Sequence, residues 1–256
     1  MPLPDGTTIT WYGHSVIRID TAGGKTVIID PFFANPLSPI TADAVEKCDV
    51  LLVTHGHFDH MGDAVALASR LRPVWPCMHE MSLWLGRRLP GGADAVIGFN
   101  KGGTVEVAGL RITMVTADHS AGDWNAAGET TLYLGDPAGF VIELEDGYRI
   151  YHSGDTEVFS DLRLIGELHR PDLAMLPIGG HYTMDPARAA LAIEFLGVHE
   201  IVPLHYGTFP ILTGTPAQLR EALAARGLGS VRVHEPEPGE TVGGSGGTGG
   251  PGAAPA

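Results

Sequence analysis

Apolar and polar positions alternate in short runs at the start of the chain. Thr7 to Tyr12, Val16 to Asp20 and Lys25 to Asp30 are rich in β-branched residues and are separated by breaks such as Ala22-Gly23-Gly24. Period-two runs bounded by glycine predict antiparallel strands joined by hairpin-like turns. Asp49 to Thr54 is a continuous apolar run that predicts a buried strand. Asp63 to Leu71 then spaces Ala64, Val65, Leu67, Ala68 and Leu71 as one face of a helix. A second series follows, with strands predicted near Thr104 to Val107, Leu110 to Ala117, Gly139 to Glu145 and Tyr148 to His152. Helices predicted over Val158 to Leu168, Pro186 to Leu196 and Pro216 to Arg226 alternate with the apolar strands Leu173 to Pro177 and Glu200 to Pro203. Two β-sheets covered by helices, an α/β arrangement, is the economical way to bury all of these faces.

Composition narrows this picture. With 256 residues, 44% of them hydrophobic, the chain can bury a large core without disulfides. One domain is expected over residues 1–242. Gly243 to Ala256 is nearly all Gly, Ala, Pro, Ser and Thr, which predicts a disordered tail. A formal net charge of −14, with only 16 Lys and Arg, argues against nucleic acid as a partner. Cys48 and Cys77 are too few for a disulfide scaffold or a thiolate metal site and are expected to be small buried residues. No apolar run is long enough to span a bilayer, and the first residues lack the basic and apolar regions of an export signal. A cytoplasmic enzyme with a small-molecule substrate and no membrane partner is expected, with homo-oligomerisation left open.

The chemistry concentrates in Thr54-His55-Gly56-His57-Phe58-Asp59-His60, which places four ligand-type side chains within six residues directly after a buried strand. One histidine in a loop is usually an ordinary solvated residue, but three with an aspartate are not. In an extended stretch His55 and His57 point the same way and can reach one metal ion, while Asp59 and His60, further on, can reach a second. Two ions need more donors than one loop offers, and other strand ends supply them: Ala117-Asp118-His119-Ser120, Ser153-Gly154-Asp155-Thr156 and Pro203-Leu204-His205-Tyr206. Imidazole and carboxylate without thiolate suit zinc, manganese, iron or nickel, with zinc the default.

This ordered set, His-x-His-x-Asp-His followed by a later His, a Gly-Asp-Thr and a late His, resembles the metallo-β-lactamase superfamily over residues 7 to about 235. Together with Tyr12-Gly13-His14-Ser15 and Pro177-Ile178-Gly179-Gly180-His181-Tyr182-Thr183-Met184, it resembles the small bacterial metal-dependent hydrolases related to ascorbate-6-phosphate lactonase. The resemblance implies an αββα sandwich of two mixed β-sheets flanked by helices. It also implies that His55, His57 and His119 bind one metal, that Asp59, His60 and His205 bind a second, and that Asp155 bridges them. The flavodiiron branch of the superfamily characteristically has Glu where His57 stands, so a redox di-iron centre is disfavoured.

Two ions about 3.5–4 Å apart share a water, lower its pKa and polarise the bond attacked. The implied enzyme is therefore a binuclear hydrolase, its hydroxide oriented by Asp59, acting on a lactone, ester or phosphodiester. The alternative is a metal-containing sensor of a small ligand on the same fold. An export-dependent antibiotic-degrading enzyme and an RNA-processing enzyme fit the composition less well.

Other residues have bland and functional readings. His14 is expected to contact substrate or support a ligand. His181 and Tyr182 are expected to line the pocket, with Gly179 and Gly180 admitting a ligand to the backbone. Thr54 and Asp118 are candidates for hydrogen bonds that fix imidazole tautomers, and Asp30 for buttressing the metal loop. Trp75 and Trp84 read as packing, and Trp124 as a residue bordering the pocket. His79, His152, His169, His199 and His234 match no motif and are left out of the site.

Overall fold

The computed structural model describes residues 2–125 and 130–244, with residues 123–125 described as backbone only. In chain order the strands and helices are β1 (Thr8–Trp11), β2 (Ile17–Asp20), β3 (Thr26–Ile29), β4 (Val50–Leu52), α1 (Phe58–Met61), α2 (Ala64–Leu71), β5 (Trp75–Met78), α3 (His79–Leu85) and β6 (Val96–Phe99). They continue with β7 (Thr104–Val107), β8 (Leu110–Thr116), β9 (Gly122–Asn125), β10 (Thr130–Tyr133), β11 (Ala138–Glu143), β12 (Arg149–His152), α4 (Leu162–His169), β13 (Leu173–Pro177) and α5 (Pro186–Leu196). The chain closes with β14 (Glu200–Leu204), α6 (Pro216–Ala225), β15 (Arg232–Val233) and β16 (Thr241–Gly243).

Both main sheets are mixed. The first has the order β16-β1-β2-β3-β4, antiparallel except for the β3–β4 pair. The second has the order β15-β14-β13-β12-β11-β8-β7, antiparallel from β7 to β12 and parallel from β12 to β15. Alternation within the second sheet shows why both of its faces are covered. Ile112, Met114, Phe140, Ile142, Ile150, Met175 and Val202 join the core shared with the first sheet, with α2 and with α3. Val115, Val141, Tyr151, Ala174, Leu176 and Ile201, one residue out of phase, pack against Leu162 and Ile165 of α4, Ile193 of α5 and Leu219 of α6. Helix, sheet, sheet and helix form the expected αββα sandwich.

Two helices begin where their sequence signals place them. Asp185 caps α5 by accepting from the Arg188 N–H, with Pro186 next in line, and Thr215 and Gln218 form a reciprocal capping box on α6. Such caps contribute about 1 kcal/mol each. Helix α4 starts at Leu162 rather than at Val158 as expected. The residues before it are held by other bonds: the Glu157 N–H donates to the Asp118 carbonyl, and the Val158 N–H to the Glu157 side chain. The parallel β5–β6 pair was not expected, because Pro76 lacks a ladder donor and Gly98 weakens a strand. Cys48 and Cys77 are free and buried, and burial pushes both thiols up to about 12.

Strand pairing runs one residue into the stretch expected as tail, since Gly243 lies opposite Thr8. The rest of that stretch, from residue 245, lies outside the described residues. Among the described residues no helix is long and apolar enough to cross a membrane.

Candidate metal centre

The strand ends of the two sheets converge on one side of the sandwich, and each contributes a functional side chain. After β4 the chain passes through Thr54, His55 and His57 and turns into the short helix α1, which carries Asp59 and His60. His119 follows β8, Asp155 follows β12 and His205 follows β14. Asp155 is reached by way of Gly154 at φ 63°. A Cβ there would stand 2.7 Å from the Thr54 Cβ and 2.8 Å from the Ala138 carbonyl oxygen, so only glycine lets the two loops meet. His14, Asp30 and His205 adopt left-handed backbone conformations at φ 53°, 48° and 53°. These cost side-chain-bearing residues about 1–2 kcal/mol each and recur at functional sites.

In each of three groups the donor atoms lie within 4.8 Å of one another: His55, His57 and His119; His14, Asp59, His60 and His205; and His55, His60 and Asp155. The structure therefore brings together all seven residues expected as ligands. His55 Nε2 is 2.8 Å from His57 Nδ1. Asp155 Oδ2 is 3.0 Å from His205 Nε2, 3.3 Å from His60 Nε2 and 3.7 Å from His119 Nε2, a shared position between the two histidine groups. The buried His60 Nε2, His205 Nε2 and Asp155 Oδ1 make no hydrogen bond within the described protein. Buried polar atoms are rarely left in that state, and several converging on one point are what cations would satisfy. The donor set and its orphaned atoms fit transition-metal ions.

Hydrogen bonds behind these side chains set which nitrogen faces inward. Asp30, fully buried, accepts from the Thr54 N–H at 2.7 Å, the Thr54 hydroxyl at 2.8 Å and His60 Nδ1 at 2.8 Å. The Thr54 hydroxyl proton is thus committed to Asp30, so His55 Nδ1–H donates to Thr54 Oγ1 at 3.0 Å. Both imidazoles are left with Nε2 pointing into the cluster. One carboxylate orients a histidine from each histidine group. Replacing it with Asn, which keeps the shape and tolerates the left-handed backbone, is expected to weaken metal affinity about 10–100-fold. Chelator competition measures this, and an unchanged affinity for Asp30→Asn would show that the network has no such role.

His14 is fully buried and is not among the residues that line the cavity, so of its two expected roles it takes the support of a ligand side chain and not the contact with substrate. It stands behind Asp59, with Nε2 3.0 Å from Asp59 Oδ2 and Nδ1 3.0 Å from Thr208 Oγ1. Burial lowers its pKa to about 4 despite Asp59. The ring is therefore neutral, donates from Nε2 to the carboxylate and accepts the Thr208 hydroxyl at Nδ1. Burial opposes ionisation of Asp59, but the hydrogen bond from His14 and the nearness of His205, whose Nε2 is 3.7 Å away, outweigh it and hold the carboxyl well below its ordinary range. Asp155 behaves likewise: burial is overcome by His205 and His60. Burial also disfavours charge on His60 and His205, but Asp155 overrides it, with Asp30 helping at His60 and Asp59 at His205, so both pKa values rise.

A cavity of about 610 Å³ opens onto Asp59, His57, His119, Asp155 and His205. Its wall also includes Phe58, Ser120, Tyr182, Phe209 and Ile211, of which sequence reasoning anticipated only Tyr182. His181 is exposed and lines an adjoining hollow of about 410 Å³, which shares His119 and Tyr182 with the cavity and also holds Asp118 and Arg188. Gly179 admits no ligand: a Cβ there would lie 2.0 Å from the His205 carbonyl oxygen, so it serves the packing of the two loops. Asp118 is exposed and acts through its backbone, its N–H donating to Thr156 Oγ1. His152, left out at the sequence level, lies buried behind the site, and its Nδ1 accepts the Gly154 N–H at 3.1 Å, steadying the turn that carries Asp155. Its place at the end of the strand before Gly154-Asp155 was the available signal. Trp75 is buried packing, and the Trp124 side chain lies outside the described residues.

Comparison with known proteins shows the family. Residues 25–206 match the model of the beta-lactamase superfamily domain. The chain is 46% identical over 237 residues to a UPF0173 metal-dependent hydrolase of Koribacter versatilis, covering 92% of this chain and 97% of the relative. It is 44% identical to one from Archaeoglobus fulgidus, covering 91% and 97%. Among solved structures, the metallo hydrolase Igni18 of Ignicoccus hospitalis superposes with a TM-score of 0.79 at 36% identity, covering 92% of this chain and 97% of that one. The chain belongs to the UPF0173 metal-dependent hydrolase family of the metallo-β-lactamase superfamily.

Proposed function

We propose that the protein hydrolyses a small-molecule ester, lactone or phosphodiester with two transition-metal ions. His55, His57 and His119 would hold one ion, Asp59, His60 and His205 the other, and Asp155 would be shared. Zinc suits this nitrogen and oxygen donor set, which manganese, iron and nickel also suit. When bound, the ions supply Lewis acidity at the bond attacked and activate a water as the nucleophile near neutral pH.

The chain's own residues do the rest. Asp59, ionised and on the cavity wall, accepts a hydrogen bond from the attacking water and orients it. The neutral His14, braced by Thr208, keeps that carboxylate in place. Asp30 and Thr54 hold the two imidazoles in their tautomers. Phe58, Phe209 and Ile211 exclude bulk water from one side of the cavity, which strengthens every electrostatic contact inside.

The observation that carries the reading is the convergence of seven donors, with orphaned buried atoms, on the wall of one open cavity. The test is elemental analysis of the chain purified without chelator, paired with turnover of activated esters and phosphodiesters. About two ions per chain, lost together with turnover in the His57→Ala, Asp59→Ala double variant, is the expected result. No metal after reconstitution would overturn the reading. Tight ligand binding without turnover of any probe would replace it with the sensor.

A further inference from the structure

Four large apolar side chains surround the cavity next to the metal centre. Phe58, Tyr182 and Ile211 are 56%, 60% and 43% exposed, and Phe209 is half-buried beside them. They come from three separate segments, the start of α1, the loop after β13 and the loop after β14, so their meeting at one opening is a product of the fold. Phe58 is braced by an edge contact with Phe32 at 5.7 Å and is held in place at the mouth. Large apolar groups gathered in water around a functional cleft mark a surface that a ligand covers.

The charges nearby point the same way. No Lys or Arg is among the described residues lining the cavity. The neighbouring hollow has Arg188, but its Nη1 lies 3.0 Å from Asp185 and its Nε 3.4 Å from Glu157, so that cation is already matched. Asp118 adds another carboxylate to the same hollow. Phosphate recognition ordinarily draws on Arg or Lys in addition to the atoms that react. A phosphate-bearing substrate would meet Asp59, Asp118 and Glu157 here, with no unmatched Lys or Arg among the described residues of the cavity and the hollow.

Resting on the hydrolase reading above, we propose that the substrate is an uncharged carboxylic ester or lactone carrying an alkyl or aromatic arm, which lies against Phe58, Tyr182, Phe209 and Ile211. In the step, the water oxygen bonds to the acyl carbon, and the acyl C–O bond breaks with its electron pair on the leaving oxygen. One water proton ends on that oxygen as an alcohol, and the other leaves the new carboxylic acid for solvent.

The test uses the zinc-loaded full chain with three probes: δ-valerolactone, δ-decanolactone, which adds a pentyl arm, and bis(p-nitrophenyl) phosphate. The expected kcat/KM for δ-decanolactone exceeds that for δ-valerolactone by about tenfold or more, the scale on which an apolar pocket discriminates. The phosphodiester is expected to be the poorest of the three. In the Ile211→Ser, Tyr182→Ser double variant, at positions exposed enough to leave folding intact, the preference between the lactones collapses while zinc content is unchanged. Calorimetry gives a readout independent of turnover: 5-hydroxydecanoate is expected to bind about tenfold more tightly than 5-hydroxypentanoate, and equally in the variant. Equal kcat/KM for the two lactones, or a phosphodiester that outruns both, overturns this inference and leaves the hydrolase reading standing. No turnover of any probe by the fully loaded chain overturns the hydrolase reading itself.

Discussion

Asp155→Ala is expected to lose both metal ions and all measurable turnover, and to lower the melting temperature of the metal-stripped chain by about 10 °C. The carboxylate lies within 3.0–3.7 Å of Nε2 of His205, His60 and His119, between the two histidine groups. Without it, neither group keeps the shared negative charge that offsets a cation. In the metal-stripped chain the same carboxylate is the counter-charge for His60 and His205, both fully or nearly fully buried. Breaking a buried pair by removing one member costs about 3–5 kcal/mol. At about 2–4 °C per kcal/mol for a domain of this size, that predicts the stated shift.

The pH dependence carries its own sign. The Asp155 pKa is depressed below the ordinary 3.8, so its contribution to stability is present above that value and fades as pH falls through the folded-state pKa. The His205 pKa is raised from 6.5 to about 9, so its contribution is full below 6.5 and is lost as pH rises through 9. The gap in melting temperature between metal-stripped wild type and variant should therefore be widest between about pH 4 and 6.5 and should close toward pH 9. Unchanged metal content in Asp155→Ala would refute the shared-ligand assignment whatever the melting data show.

Asp59→Asn is expected to reduce kcat by about 10²–10⁴-fold, the range for removing a positioned proton acceptor. It is also expected to reduce metal content from two ions toward one. Asp59 belongs to the donor group of His14, His60 and His205 and not to that of His55, His57 and His119, so the loss should be confined to one ion. Asn preserves shape and can still accept from His14 Nε2, which isolates the missing charge. Two ions retained with turnover within tenfold of wild type would remove Asp59 from both roles. Elemental analysis beside steady-state kinetics separates the two effects.

Much of the site was legible because its signals are local. His55, His57, Asp59 and His60 lie within six residues, and His119, Asp155 and His205 each follow an apolar run that became a strand. The apolar runs Leu173 to Pro177 and Glu200 to Pro203 became the buried strands β13 and β14, and covering two such sheets with helices agrees with the αββα architecture that the resemblance implied. The β5–β6 pair was hidden by Pro76 and Gly98, which violate local strand preference and are tolerated only because pairing partners are in place. The start of α4 is not encoded locally, because the bonds that hold Glu157 and Val158 out of the helix run partly to Asp118, far back in the chain.

By itself, then, the sequence determined which residues carry donor atoms, their placement at strand ends and the layered fold that such strands require, since periodicity and ligand chemistry reside in near neighbours. Only the tertiary structure decided that Asp30 reaches Thr54 and His60, 24 and 30 residues away, that His14 lies buried behind Asp59, and that Phe58, Tyr182, Phe209 and Ile211 share one cavity. Those relations depend on sheet register, on close loop approach at Gly154 and Gly179, and on left-handed backbone at His14, Asp30 and His205. No local preference specifies such conformations, and they are held because packing across the whole sandwich over-determines them.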